Sequence, residues 1–133
     1  ANAAASLKGY DFDIEIIEAH HNQKKDAPSG TALATVQAIR RARGEPDSLD
    51  ASGVVYGRKG IMLRGKEIGV HAVRAGDIVG DHTVLMAGPG ERLEIKHQAH
   101  SRTAFASGAV RAAIWVAGRD PGIYSMGDVL QSR

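Results

Sequence analysis

Between Asp11 and His21 the apolar residues Phe12, Ile14 and Ile16 alternate with Asp13 and Glu15, a period of two that predicts a half-buried strand, although Ile17 interrupts it. Asp26-Ala27-Pro28-Ser29-Gly30 then reads as a turn entering a helix, with Asp26 as candidate cap and Pro28 near the first helical position, where its missing N–H costs nothing. Ala32, Val36 and Ile39 recur at intervals of three and four residues, so a helix follows. Arg40, Arg41 and Arg43 gather where they complement the negative end of its dipole, and Gly44 and Pro46 stop it.

The stretch from Gly53 to Gly69 mixes glycines with Arg58, Lys59, Arg64 and Lys66 and predicts a long, basic, mobile loop. Further strands fit 68–74, 83–87 and 92–99, joined by turns at 76–81 and at Gly88-Pro89-Gly90; connections this short make neighbouring strands antiparallel. Helical spacing returns from Thr103 to Ala117 through Phe105, Ala109, Ala113 and Val116, with Ser101 as candidate cap, Gly118 just beyond the end and Trp115 expected in the core. The opening Ala-Asn-Ala-Ala-Ala-Ser reads as a featureless linker. The expected fold class is α+β: a mixed, mainly antiparallel sheet of about four strands with two main helices and one long basic loop.

Composition narrows the picture without changing it. The chain has 133 residues, the size of one domain, with 43% hydrophobic and 24% charged residues, which excludes the profile of a disordered chain. Lys and Arg number 17 against 15 Asp and Glu, and a net charge of +2 does not argue for a nucleic-acid surface. The basic loop also lacks the aromatic interleaving that stacks bases, so no nucleic-acid partner is expected. The longest strongly apolar run, 112–117, falls short of the ~20 residues a membrane-spanning helix needs. With no cysteine there is no disulfide framework, which accords with a cytoplasmic protein.

Residues 18–31 gather most of the chemistry: His20 and His21, Lys24 and Lys25, and a helix start at Ser29-Gly30-Thr31. A helix N-terminus presents unpaired N–H groups and partial positive charge; Gly30 leaves the approach open, the hydroxyls of Ser29 and Thr31 flank it, and Lys24 adds a full charge, so the expected guest is an anion. Histidine, titrating near pH 6.5, can exchange a proton at neutrality. Neighbouring residues of a strand face opposite ways, so His20 and His21 share a pocket only if the strand ends or bends there, and that bend is predicted. The same residues also allow a plain reading, a capping turn beside a solvated lysine. Two adjacent histidines without a third ligand are poor zinc geometry, and no metal is expected. His71, His82, His97 and His100 lie on or beside strands and receive no role.

The run Glu18-Ala19-His20-His21, Lys24, Asp26-Ala27-Pro28-Ser29-Gly30-Thr31-Ala32 is similar to the signature of the 4-hydroxy-tetrahydrodipicolinate reductases, formerly dihydrodipicolinate reductases. Residues 73–82, 90–95 and 101–113 follow in that family's order. The resemblance implies a substrate-binding and association domain, residues 1–133, lacking the Rossmann nucleotide-binding half. It implies an oxidoreductase in lysine and diaminopimelate biosynthesis that reduces a cyclic imine dicarboxylate with NADPH or NADH.

By the same resemblance His20 is the catalytic proton donor or acceptor, Lys24 is a second proton donor that also pairs with a carboxylate, and His21, Ser29, Gly30 and Thr31 contact substrate. Arg102 and Phe105 lie near the nicotinamide, and the protein is a homotetramer associating through this domain. The chain departs from the family pattern in two respects: it has no glycine-rich dinucleotide turn, and 60–65 is shorter and more apolar than the family's loop. A non-catalytic oligomerisation or dicarboxylate-binding module is the alternative.

Overall fold

Strand β1 (Asp13–His20) is the centre of the molecule's sheet, and its alternation runs further than its apolar residues do. Ile14 and Ile16 are buried, Ile17 is exposed, and the next interior position is filled by Glu18 at 0% exposure. The computed structural model describes residues 1–46, 48–49 and 53–131. They form two compact units, Ala1–Gln98 and Ala99–Arg133, each taken in turn.

In the first unit, helix α1 (Asn2–Ser6) is followed by β1, helix α2 (Gly30–Arg43) and strands β2 (Val54–Tyr56), β3 (Ile68–Arg74), β4 (Gly80–Gly88) and β5 (Glu91–Ala99). The five strands lie in the order β2-β3-β1-β4-β5. Ala32, Val36 and Ile39 of α2 form one core cluster with Ile14 and Ile16 of β1, Ile68 and Val70 of β3 and Met86 of β4. Each aliphatic side chain fully buried in such a layer contributes about 1.5–3 kcal/mol. Ala4 of α1 belongs to the same cluster, so the opening alanines, expected as a linker, are part of the core.

Helix α2 starts two residues later than Pro28 suggested: Ser29 is the cap, its hydroxyl accepting from Ala32 N–H at 3.2 Å, in place of Asp26. Pro28, joined to Ala27 by a cis peptide, precedes the cap. The helix ends as expected at Gly44, whose φ of 73° is left-handed and open to glycine without strain.

The expected mixed sheet is present, with more parallel pairing than the short connections implied. β1 pairs with β3 in parallel and with β4 antiparallel, and the three-residue β2 adds a second parallel pair to β3. β3 and β4 are therefore not neighbours, because the link between them crosses the end of β1. Ala75 N–H donates to His20 O and Asn22 N–H to Gly76 O at that crossing, satisfying backbone groups that a hairpin would have paired. The turn at Pro89-Gly90 closes an ordinary hairpin between β4 and β5.

The basic loop is tied down by ion pairs. Arg58 donates to Glu67 at 2.8 Å and to Glu15 at 3.0 Å, Arg64 to Asp13 at 2.7 Å and to Glu15 at 3.2 Å, and Lys66 to Asp11 at 2.6 Å. Ile61 and Leu63, between these anchors, are fully exposed.

The second unit holds helices α3 (Thr103–Val116) and α4 (Met126–Gln131), the latter absent from the sequence reading. Ser101 Oγ accepts from Thr103 N–H at 3.1 Å, but the cap position of α3 is Arg102, whose side chain makes no capping bond, in place of the expected Ser101. Trp115 is only half-buried, a correction to its expected place in the core: α3 has no buried residue, and the indole instead meets Tyr124 edge-on at 5.2 Å and the Arg119 guanidinium at 4.3 Å. Among the described residues no helix is long and apolar enough to cross a membrane.

Candidate functional site

The strand ends at His20, as the bend between the two histidines required, and the chain turns with Lys24 N–H donating to His21 O at 3.1 Å. What holds this turn is Glu18. Its Oε1 accepts from Ser29 N–H at 3.0 Å and from Arg74 Nη2–H at 2.8 Å; its Oε2 accepts from Arg74 Nη1–H at 2.8 Å and meets His20 Nδ1 at 2.5 Å. Arg74, at the end of β3, also donates to Asp26 O at 2.5 Å and to Val73 O at 2.7 Å. One carboxylate thus joins β1, β3 and the start of α2.

Burial is the largest influence on the Glu18 carboxyl and pushes its pKa up, yet the hydrogen bonds from Arg74, His20 and Ser29 and the Arg74 charge together hold it below the ordinary 4.5. It is an anion at neutral pH. Facing an anion, His20 carries its proton on Nδ1, and Nε2 has no hydrogen-bonding partner among the described residues.

The helix start is arranged as the anion reading requires. Ser29 N–H is taken by Glu18, Ala32 N–H by the Ser29 hydroxyl and Leu33 N–H by Ser29 O. The N–H groups of Gly30 and Thr31 are left without partners among the described residues. Both residues are exposed, and a Cβ built on Gly30 would meet nothing within 4 Å. Ser29 is different, being 2% exposed with its hydroxyl occupied by the cap and by His82 Nε2 at 3.2 Å. Lys24 pairs with Asp26 at 2.8 Å, and its side chain is 22% exposed. His21 is half-buried. Arg102, the residue before α3, and Phe105, exposed on its first turn, belong to the second unit.

Three groups of this site had no role in the sequence reading: Glu18, Arg74 and His82. The His20 and His82 rings meet edge-on with centroids 5.1 Å apart. Burial and then the neighbouring His20 and His97 push the His82 pKa below 6.5, with Glu18 and Asp81 opposing, so His82 is neutral where it shares a hydrogen bond with the Ser29 hydroxyl. Glu18 carried a signal, since the alternation of Ile14 and Ile16 puts it on the covered face. Arg74 and His82 come from strands far along the chain, and only the sheet's order brings them to β1.

The family described as "Dihydrodipicolinate reductase, C-terminus" matches residues 1–130. The 4-hydroxy-tetrahydrodipicolinate reductase of Methanococcoides burtonii is 65% identical over 122 residues, covering 92% of this chain and 44% of the relative. That of Methanosarcina barkeri is 67% identical over 120 residues, covering 90% and 43%. Among solved structures, a dipicolinate-bound dihydrodipicolinate reductase from Paenisporosarcina sp. TG-14 superposes with a TM-score of 0.68 at 27% identity, covering 96% of this chain and 48% of that one. The chain therefore spans less than half the length of these relatives.

Proposed function

The chain belongs to the dihydrodipicolinate reductase C-terminal family, and on that footing we propose that it is the substrate-binding and subunit-association domain of a 4-hydroxy-tetrahydrodipicolinate reductase. In this reading the full protein works in the cytoplasm, on the route to diaminopimelate and lysine. Nicotinamide, as NADPH or NADH, supplies a hydride to the cyclic imine dicarboxylate. These 133 residues contain no glycine-rich dinucleotide turn, so the nucleotide's main site falls to chain beyond them, with Arg102 and Phe105 proposed at its nicotinamide end.

The chain's own residues bind the anion and handle the proton. The free N–H groups of Gly30 and Thr31, with the Thr31 hydroxyl, hold one carboxylate, while Lys24 exchanges Asp26 for substrate and acts as a second proton donor. His21 adds a contact, and Ser29 keeps the helix start in shape. His20 delivers its proton through Nε2, completing the two-electron reduction that the hydride begins. The observation that carries this reading is the Glu18 carboxylate, which holds the His20 ring and the start of α2 at the same time.

Association through the sheet is supported by its open face, where Ile17, in register with His71, and Val73, in register with Ala19, are exposed. A homotetramer is the proposed assembly.

Pyridine-2,6-dicarboxylate, a planar mimic of the substrate, tests the site by titration calorimetry. The parent chain should bind it, Lys24→Ala should weaken binding about tenfold or more, the scale of a lost charge-assisted bond, and Thr31→Ala should weaken it less. Equal affinity in both variants and the parent would refute the assignment.

A further inference from the structure

We propose that Glu18 is a positioning residue of the reaction, fixing His20 as the Nδ1–H tautomer and reserving Nε2 for proton transfer. The proposal rests on the reading of His20 as the proton-handling group.

Glu18 occupies an interior position of β1 in line with Ile14 and Ile16, where an apolar side chain would pack without any desolvation cost. The buried carboxylate is instead fully paired, each oxygen accepting two bonds. Arg74 and the Ser29 N–H account for three of them, which suffices to neutralise and anchor the group. The fourth goes to an imidazole, which a purely structural carboxylate does not need. Because Arg74 is itself held by Asp26 O and Val73 O, the carboxylate cannot turn to follow the histidine; the ring must conform to it.

The opposite side of the ring is kept clear. The His20 side chain is 12% exposed, and Nε2 is not among the buried unpaired atoms of the described residues. Gly80 of β4 lies alongside, and a Cβ there would come within 3.2 Å of Nε2. Its φ is not positive, so nothing in the backbone demands a glycine at this point; what the missing methyl leaves is room beside the nitrogen. The charged and titratable groups around His20 are Glu18 on its own strand, Arg74 on β3 behind that carboxylate, and His82 on β4. His82 is neutral, so the nearest charge is the Glu18 anion, which takes the Nδ1 side of the ring and leaves Nε2 turned away from it.

The test uses the full-length protein and begins without any variant. Nitrogen-15 spectra of the His20 ring above its titration should show Nδ1 protonated and Nε2 bare; the reverse tautomer overturns the proposal, whatever any mutant does. Glu18→Gln should then lower kcat about 10-fold to 100-fold, the scale for losing the partner that orients a functional histidine. Substrate KM should change by less than about threefold, since the glutamine oxygen can still accept from Ser29 N–H and keep the helix start in place. The limb of the pH–rate profile assigned to His20 should move to lower pH, because the imidazolium loses its counter-charge. If Glu18→Gln folds and retains both kcat and that limb, the positioning role is wrong. His20→Ala separates the two readings: full activity in that variant removes the proton-handling reading itself, whereas an inactive His20→Ala beside a fully active Glu18→Gln removes only the role of Glu18.

Discussion

Strand β1 carries two glutamates on opposite faces, and each gathers arginine and histidine around it, yet the two networks do different things. Glu18 lies under α2 at 0% exposure, paired bidentately with Arg74. Glu15 lies on the open face with 16% of its side chain exposed, paired with Arg58 and Arg64 of the loop and with His71 at 2.7 Å. Burial raises the pKa of both carboxyls and their partners more than compensate, so both are anions. The histidines differ more. His71 spends Nε2 on Glu15, whereas His20 spends Nδ1 on Glu18 and keeps Nε2. One network pins a loop, and the other aims a ring.

The largest expected difference is energetic. Arg74→Met leaves a buried carboxylate without its guanidinium and should cost about 3–5 kcal/mol. Arg58→Met, on the open face, should cost far less, and high salt should remove even that loss. Urea unfolding of the two variants compares them directly, and equal losses would erase the contrast.

A smaller effect tests the open face alone. Gly69 of β3 is in register with Glu15, and a Cβ there would collide with the Glu15 carboxylate. Gly69→Ala should push that carboxylate off Arg58, Arg64 and His71 at a cost of about 1–3 kcal/mol, the usual range for overpacking. Limited proteolysis should then cut near Ile61 faster, with dicarboxylate binding preserved; loss of binding would mean that the two faces are coupled.

The smallest effect is in acid. The folded pKa of His82 lies below 6.5 and that of Glu18 below 4.5, so between folded and unfolded values the unfolded chain binds more protons and stability rises with pH. The contribution of His82 is complete above pH 6.5 and fades as pH falls below it; that of Glu18 is complete above 4.5 and fades below that. Glu67, held at about 2 by Arg58, keeps its charge well below the ordinary glutamate range. Urea midpoints that stay flat as pH falls below 6.5 would count against a neutral, buried His82.

Much of this arrangement is legible in the sequence where local rules operate. Alternation found β1, three-and-four spacing found α2, and the requirement that the strand end between His20 and His21 was met. The open amides at Gly30 and Thr31 follow from the same local reasoning. Non-local features were harder to read. Short connections suggested that β3 and β4 pair, but β1 lies between them, because backbone groups at its end satisfy the crossing. The loop looked mobile because the partners of Arg58, Arg64 and Lys66, which are Asp11, Asp13 and Glu15, precede them by more than forty residues. β2, with three residues, is too short to show a period. Glu18 received no role because the arginine that pairs with it lies on a strand 56 residues further along the chain.

The opposed faces of β1 also work as a key for alignment. Were the strand to slide by one residue against β3 and β4, every side chain would change sides: Glu18 would meet solvent, and Glu15 would sit beneath α2 with no guanidinium to receive it. Greasy residues discriminate such a slip poorly here, since Ile16 and Ile17 are interchangeable to an oily layer. The paired charges are what make the wrong alignment costly, so the groups that hold the histidine in place also tell the sheet where to stop.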